Sequence, residues 1–360
     1  MTSHGESITH THLALGRAAG IRGRPLLLGG AGIAALLVAL VLGVGFGSVS
    51  IEPADTVAIL AQRVLGIDLG REYSAATQTI VMDLRLPRVL TAMLVGLALS
   101  VAGVTFQGLL RNPLADPYVL GTSSGAALGA AIAVLIPVRI AILELGLLQA
   151  FAFIGALLAI YTVWKLSRTT GLAPLTSLLL TGYAVGSLLA AGLAMAMYLS
   201  GAQLRQIFTY LLGSFDAASW TRLAWALPIV AIATGAILLR ARTLNGLLLG
   251  EETAANLGVN VARERGILLG LASLATAAAV AISGLIGFVG LVVPHVVRLV
   301  VGPSARLVLP LSAICGAALM AYADLVARLL GEIPVGVVTA VIGAPFFLLI
   351  LRRARAGYEV

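Results

Sequence analysis

The chain has 360 residues, of which 60% are hydrophobic and 11% are charged. Soluble domains average about 45–50% apolar and about 25% charged residues, so this composition excludes a soluble enzyme and a disordered chain. A single-span receptor is also excluded, because the apolar residues suffice for about ten spans of about 20 residues each. The formal net charge is +8, and the one cysteine, Cys315, has no second cysteine with which to form an intramolecular disulfide.

Ten apolar runs follow one another along the sequence, and each predicts a membrane-spanning helix. They cover residues 26–46, 88–110, 117–137, 141–164, 172–199, 222–239, 265–283, 285–301, 307–330 and 334–351. Most are long enough to cross a hydrocarbon core of about 30 Å. The stretch 265–301 is almost continuous, but Ser283 and Gly284 favour a turn that divides it into two helices. The sequence therefore predicts an all-α integral membrane protein with about ten transmembrane helices.

The two ends of the chain differ from this transmembrane domain, which is predicted to cover residues 26–353. Residues 1–25 are polar and are predicted to form a disordered cytoplasmic tail, and residues 354–360 a short second tail. The first apolar run is too long for the core of a signal peptide, and no small-residue cleavage site closes it, so we expect it to be retained. His10 and His12 have no third ligand nearby, which favours a solvated tail over a metal site.

The basic residues between the runs predict the orientation in the membrane. With ten spans both termini lie on one side, and the tails and loops of that side carry a net charge of +9, against −1 on the other. Because short cytoplasmic loops are enriched in Lys and Arg, both termini are predicted to be cytoplasmic. This distribution also explains the net positive charge without a nucleic-acid partner.

The sequence contains no ATP-binding motif of the P-loop type. Lys165 is the only lysine, and its neighbours Trp164 and Leu166 do not fit the pattern G-x-x-x-x-G-K-[ST]. If ATP is used, another polypeptide must bind it. Ionisable residues are scarce in the middle of the runs, which argues against an ion-coupled transporter. No motif of a metal-dependent or serine hydrolase is present, so we expect no catalytic residue, metal site or cofactor in this chain.

The longest predicted cytoplasmic loop, residues 240–265, has the features of a docking surface. Within it, residues 250–258 predict a short helix, since Glu251 and Glu252 suit its N-terminal end and Gly258 its C′ position. Three leucines, 247–249, precede this helix and are expected to be exposed. Exposed leucines indicate contact with a partner protein. Contact with lipid headgroups is the alternative.

Two further loops stand out. Pro113 and Pro117 interrupt the chain between the second and third runs and predict a compact turn there. On the predicted external side, arginines open the second run and close the ninth, where they could reach lipid phosphates or the carboxylates of a soluble partner. Residues 53–65 predict an amphipathic surface helix on the same side.

Five segments, in this order, resemble the FecCD permeases, the membrane subunits of binding-protein-dependent ABC importers for iron chelates, haem and vitamin B12. The resemblance runs from about residue 30 to residue 353. The segments are Arg85-Leu-Pro-Arg88, residues 107–121, residues 250–258, residues 283–295 and residues 334–345.

The resemblance implies a type II ABC importer permease fold with ten helices in a bacterial cytoplasmic (inner) membrane. It implies a homodimer embedded in the lipid bilayer, two cytoplasmic subunits that bind ATP and Mg, and an extracytoplasmic substrate-binding protein. The expected cargo is an iron chelate, either a siderophore or haem. A cobalamin permease is the alternative, and an ion-coupled secondary transporter or a membrane-bound enzyme or scaffold are further readings.

The resemblance also implies roles for particular residues. The ATPase-coupling segment, residues 241–264, would contact the ATPase through Leu247, Leu248, Gly250, Glu251, Glu252, Ala254, Leu257 and Gly258. The binding protein would dock on Arg85, Arg88 and Arg328. The cytoplasmic gate would lie around Asn112, Leu114, Thr169 and Thr170, and the helix over 172–199 would line the transport path.

Overall fold

The computed structural model of the chain describes residues 27–47, 49, 51–67, 73–136, 146–168 and 174–356. The regular secondary structure within these ranges is entirely helical, which confirms the predicted all-α class. The predicted N-terminal tail lies outside the described residues. At the other end, the last helix continues to Ala356, so the first three residues of the predicted C-terminal tail are helical.

The described residues form fifteen α-helices with two short turns of other helix types. The helices are α1 (Leu27–Gly45), α2 (Pro53–Leu65), α3 (Ala75–Thr79), α4 (Leu86–Leu109), α5 (Thr122–Leu135), α6 (Leu147–Ser167), α7 (Pro174–Leu199), α8 (Leu204–Leu212), α9 (Trp220–Leu239), α10 (Ala241–Leu248), α11 (Glu251–Asn256), α12 (Val261–Ser283), α13 (Val289–Val301), α14 (Ala305–Leu329) and α15 (Val335–Ala356). A π-helical turn, Ile80–Arg85, joins α3 to α4, and a 3-10 turn, Gly201–Gln203, precedes α8. The predicted surface helix over 53–65 is α2.

Each of the ten predicted runs contains a helix, but the helices differ in length. Among the described residues, seven helices are long and apolar enough to cross a membrane: α1, the continuous α3–α4 helix, α6, α7, α9, α12 and α14. The apolar parts of α5, α13 and α15 have 10–17 residues. The 14 residues of α5 rise only about 21 Å, less than the hydrocarbon core of about 30 Å. The count of ten spans therefore stays a prediction.

Irregular segments precede two of the short helices. The apolar runs 117–137 and 285–301 begin before their helices do, because residues 117–121 and 285–288 are not helical. Pro117 has no N–H for a helical hydrogen bond. Gly284 and Phe288 have φ angles of +71° and +69°, outside the right-handed helical region.

Tyrosine side chains pair with the backbone in and beside the second irregular segment. The hydroxyl of Tyr118 donates to the carbonyl of Ile286 at 3.0 Å and accepts from its N–H at 3.3 Å. The hydroxyl of Tyr210 donates to the carbonyl of Val280 at 3.0 Å, and the Tyr210 carbonyl accepts from the N–H of Leu285. Since no water hydrates unpaired backbone groups inside a bilayer, these bonds allow irregular chain to lie among the spans.

The α4 helix is the centre of the bundle, because nearly all its side chains are buried and it packs against α9, α12, α13 and α14. Its closest contacts are made at glycines. A Cβ atom on Gly96 would overlap the carbonyl of Gly316 in α14, and one on Gly103 would overlap the carbonyl of Gly290 in α13. Small residues let helix backbones approach closely where lipid provides no hydrophobic drive for association.

A second close pair joins α5 to α6 through Gly125 and Gly155, where a Cβ on either residue would overlap the carbonyl of the other. The sequence also contains glycines at helical spacing in α12, Gly266 and Gly270. Within the described part of this single chain, a Cβ atom added to either of these would have no atom of another element within 4 Å. Glycine spacing alone therefore does not distinguish contacting helix faces from open ones.

The contact at Gly103 can be tested by substitution with alanine. We expect Gly103→Ala to destabilise the protein by about 1–3 kcal/mol, because the added methyl group must push α4 and α13 apart. The measurement is the apparent melting temperature in detergent. Gly235→Ala in α9 is the matched control, since no atom lies within 4 Å of its Cβ position. A fall of equal size in both variants would contradict the close contact.

Candidate functional site

The predicted coupling segment forms two short helices that lie outside the long apolar helices. The helix expected over 250–258 corresponds to α11, and α10 precedes it. Gly250 has a φ angle of +125° between the two helices, and Gly258 has one of +83° after α11, a conformation that glycine adopts without strain. The last four residues of the predicted segment, 261–264, belong to α12.

One side of the coupling segment is buried in the bundle. Leu244 is fully buried, and Arg111 at the end of α4 donates from Nε to the Leu247 carbonyl at 3.2 Å. The prediction that the leucines 247–249 are all exposed is wrong for Leu247, which is 3% exposed, and Ala254 in α11 is 0% exposed. The three-residue spacing from Leu244 places Leu247 on the same buried face of α10.

The opposite side of the segment presents two apolar side chains to the outside of the chain. Leu249 is 69% exposed and Leu257 is 66% exposed. Between them Glu252 is exposed, whereas the half-buried Glu251 forms an ion pair with Arg265 of α12. The surface available to a partner is therefore formed around Leu249, Glu252 and Leu257, and it is smaller than the predicted set.

Of the three arginines predicted to dock a partner, Arg85 and Arg328 are buried and Arg88 is partly buried. Arg85 is 7% exposed and donates to the carbonyls of Val44 at 3.0 Å and Gly45 at 2.8 Å, and also to that of Val49. These carbonyls lie at the end of α1 and just after it, where the helix has no further N–H groups to bind them. Arg85 therefore attaches the end of α1 to the start of α4.

Asp324 of α14 is 0% exposed and pairs with the other two arginines. Arg88 contacts Asp324 Oδ1 from Nε and from Nη2, both at 2.9 Å, and Arg328 donates from Nε to Oδ2 at 3.1 Å. Arg328 also donates to the carbonyls of Gly43 at 2.7 Å and Phe46 at 2.8 Å. Together with Arg85, these residues form what we call the arginine cluster: Arg85, Arg88, Asp324 and Arg328.

The geometry of the arginine cluster corrects the expectation that all three guanidinium groups are free to meet a partner. Arg85 and Arg328 are buried, and their donors are used within the chain. The Arg88 side chain is 14% exposed and reaches Asp216, which is 52% exposed, at 2.9 Å. Sequence reasoning missed the role of Asp324, although its spacing of four residues from Arg328 on one helix face was a usable signal.

The predicted gate residues are only in part described. Asn112 is exposed, and its Oδ1 accepts from the N–H of Leu114 at 2.9 Å, which holds the turn after α4. Thr169 and Thr170 lie outside the described residues. In the same turn, burial raises the pKa of the Asp116 carboxyl to about 6, although a hydrogen bond from the Tyr118 N–H opposes this shift.

Two further surfaces lie outside the coupling segment and the arginine cluster. The helix α7, predicted to line the path, directs large side chains away from the rest of the chain: Tyr183 is 77% exposed and Tyr198 85%. A cavity of about 950 Å³ lies among α5, α6, α8, α9 and α12, and polar side chains line part of it, including Gln206 and Arg222.

Comparison with known proteins identifies this arrangement. The model of the FecCD transport family matches residues 35–353. A cobalamin import system permease of Halobacterium salinarum is 44% identical over 83% of this chain and 79% of its own length. A hemin transport system permease of Yersinia pestis is 44% identical over 76% of this chain and 83% of its own length.

A solved structure has the same architecture. It is described as a metal-chelate type ABC transporter in an inward-facing conformation, and it superposes with a TM-score of 0.79 at 30% identity. The match covers 91% of this chain and 99% of the solved one. The matched family model and the many long apolar helices lead to one conclusion: the chain is a multi-pass membrane protein that belongs to the FecCD transport family, the permeases of type II ABC importers.

Proposed function

We propose that this chain is the permease subunit that admits an iron chelate, a siderophore or haem, to the cytoplasm, driven by ATP hydrolysis on a separate subunit. The observation that carries the proposal is the coupling segment: Leu249 and Leu257 are exposed directly after the short helices α10 and α11, which are anchored in the bundle. Such a surface suits a motor protein that pushes on it. The absence of a Walker A motif from the sequence supports the assignment of ATP and Mg to that partner.

The proposed assembly contains two copies of this chain, two ATP-binding subunits and an extracytoplasmic binding protein. The outward-facing side chains of α7, such as Tyr183 and Tyr198, support a second copy on that face, with the transport path between the two chains. Scarce charge along the spans suits a large chelate that meets few fixed charges on its way. We place both termini on the cytoplasmic side of the bacterial inner membrane, as the loop charges predict.

Cobalamin is the second candidate substrate, because one relative at 44% identity is named for its import. An ion-coupled mechanism is not favoured, since the family to which the chain belongs consists of ABC importer permeases.

Uptake into proteoliposomes tests both the mechanism and the substrate. We expect the complex with its ATPase and binding protein to accumulate a ferric siderophore or haem only when ATP is available to the ATPase. Cyanocobalamin is the comparison substrate, and uptake of it alone would favour the second candidate. Uptake driven by an ion gradient in vesicles without the ATPase would contradict the proposal.

The coupling segment predicts a charge-reversal effect. In Glu251→Lys with Glu252→Lys, we expect the uptake per ATP hydrolysed to fall at least tenfold, because the surface offered to the ATPase changes sign. The control is Arg265→Ala, which breaks the Glu251–Arg265 ion pair and leaves the exposed Glu252 in place. An equal loss in the control would assign the effect to the ion pair, and unchanged coupling in the double variant would contradict the proposed contact.

The docking proposal now concerns mainly Arg88, whose partner Asp216 is half exposed. In Arg88→Glu, we expect the affinity for the binding protein to fall about tenfold at low salt and by less at high salt, because salt screens surface charge. Asp324→Asn is the control, since it disturbs the same buried cluster and leaves the surface charge of Arg88 in place. Binding titrations at two salt concentrations measure both variants. Equal loss of affinity in both, independent of salt, would show that Arg88 acts only in folding.

A further inference from the structure

Asn245 of α10 binds the start of α14. Its Oδ1 accepts a hydrogen bond from the N–H of Ala305, the first residue of α14, at 2.7 Å, and its Nδ2 donates to Ser304 Oγ at 3.3 Å. Ser304 occupies the N-cap position of α14, but its own side chain makes no capping hydrogen bond. Asn245 therefore supplies, from another helix, an acceptor for one of the first N–H groups of α14, which have no partner within their own helix.

The same short helix is attached to α4. Arg111, at the end of α4, donates to the carbonyl of Leu247, and the buried Leu244 side chain lies against Gly108 of α4. The α10 helix thus contacts the ends of two helices, α4 and α14, on the predicted cytoplasmic side.

The helices α4 and α14 also contact each other near mid-length and at their predicted external ends. Gly96 and Gly316 bring their backbones into contact near mid-length, and Arg88 pairs with Asp324 at 2.9 Å at the predicted external side. With 25 residues, α14 is about 37 Å long. Arg88 extends the connection to Asp216, which lies between α8 and α9 and is 52% exposed.

We propose that Asn245 is a positioning residue that couples a displacement of α10 to a displacement of α14. In this proposal α4 and α14 move as one body between the coupling segment and the arginine cluster. The inference rests on the proposed function, since it assigns the route by which the ATPase and the binding protein influence each other. A helix that is bonded at both ends and packed along its length transmits a displacement instead of absorbing it. The amide suits this role because its acceptor and its donor each bind one residue of the α14 terminus.

The test compares three variants in the full transporter, reconstituted with its ATPase and binding protein. The readout is the stimulation of ATP hydrolysis by the binding protein loaded with the chelate that is taken up. We expect Asn245→Ala to reduce this stimulation at least fivefold while basal hydrolysis changes less than twofold. Asn245→Asp should restore stimulation to within twofold of the unmodified protein, because a carboxylate still accepts from the Ala305 N–H.

A matched control separates transmission from simple stabilisation. Ser74→Ala removes the side-chain N-cap of the continuous α3–α4 helix, in which Ser74 Oγ accepts from the Thr77 N–H at 3.1 Å. This cap lies on the predicted external side, opposite the coupling segment. Apparent melting temperatures in detergent are measured for every variant. A loss of stability in Ser74→Ala without loss of stimulation supports a specific role for Asn245.

Three results would overturn the inference. If stimulation of ATP hydrolysis is retained in Asn245→Ala, or is lost equally in Ser74→Ala, then Asn245 only stabilises the start of α14 and has no specific role in transmission. Failure of Asn245→Asp to restore stimulation would show that the bond to Ala305 is not what matters. The ATPase of the unmodified complex could also fail to respond to the loaded binding protein. That result would overturn this inference together with the proposed function, and it is distinguished from the other two because it needs no variant.

Discussion

The structure depends on one buried carboxylate, Asp324, and on the guanidinium groups that neutralise it. A charge removed from water costs several kcal/mol unless it is paired and hydrogen-bonded, so Asp324 requires Arg88 and Arg328 to stay in place. The remaining donors of Arg328, together with those of Arg85, bind the free carbonyls at the end of α1. Only 17% of the most apolar stretch of α1 is buried within the described chain. The hydrogen bonds at the end of α1 therefore contribute much of its attachment to the bundle. Loss of the carboxylate would therefore weaken the contacts that join α1, α4 and α14.

The rest of the bundle is organised by how closely backbones can approach α4. Glycine contacts at Gly96 and Gly103 replace side-chain interdigitation with direct contact between helix backbones. This close packing coexists with irregular chain before α5 and α13. Hydrogen bonds with Tyr118 and Tyr210 pair buried peptide groups in and beside the second of these segments. The closely packed part of the molecule, α4 with α13 and α14, thus contrasts with α7, whose outer face has no neighbour within the described chain.

The arginines that the sequence suggests as external contacts mainly form bonds within the chain. Within this cluster, only Arg88 pairs both with a buried carboxylate, Asp324, and with a half-exposed one, Asp216. A docking protein that engages this side would then meet a residue already connected to α14. At the other side, the exposed surface of the coupling segment is smaller than the sequence suggests, since Leu247 is buried and Leu249 and Leu257 are exposed.

Composition and motif order determine the class of this protein: long apolar runs require a membrane, a lone lysine outside any glycine-rich loop excludes a P-loop in this sequence, and five ordered motifs predict the family. Those features are local in sequence, and so are the turn at Ser283–Gly284 and the short helix closed by Gly258, which were also predicted. Tertiary structure alone decided which side chains are free. Whether Leu247 packs inward, whether Arg85 faces solvent and whether Asn245 reaches Ala305 depend on segments tens to hundreds of residues apart. Sequence reports the chemistry of a side chain, but its exposure and its partners are set by the neighbouring helices that fold against it.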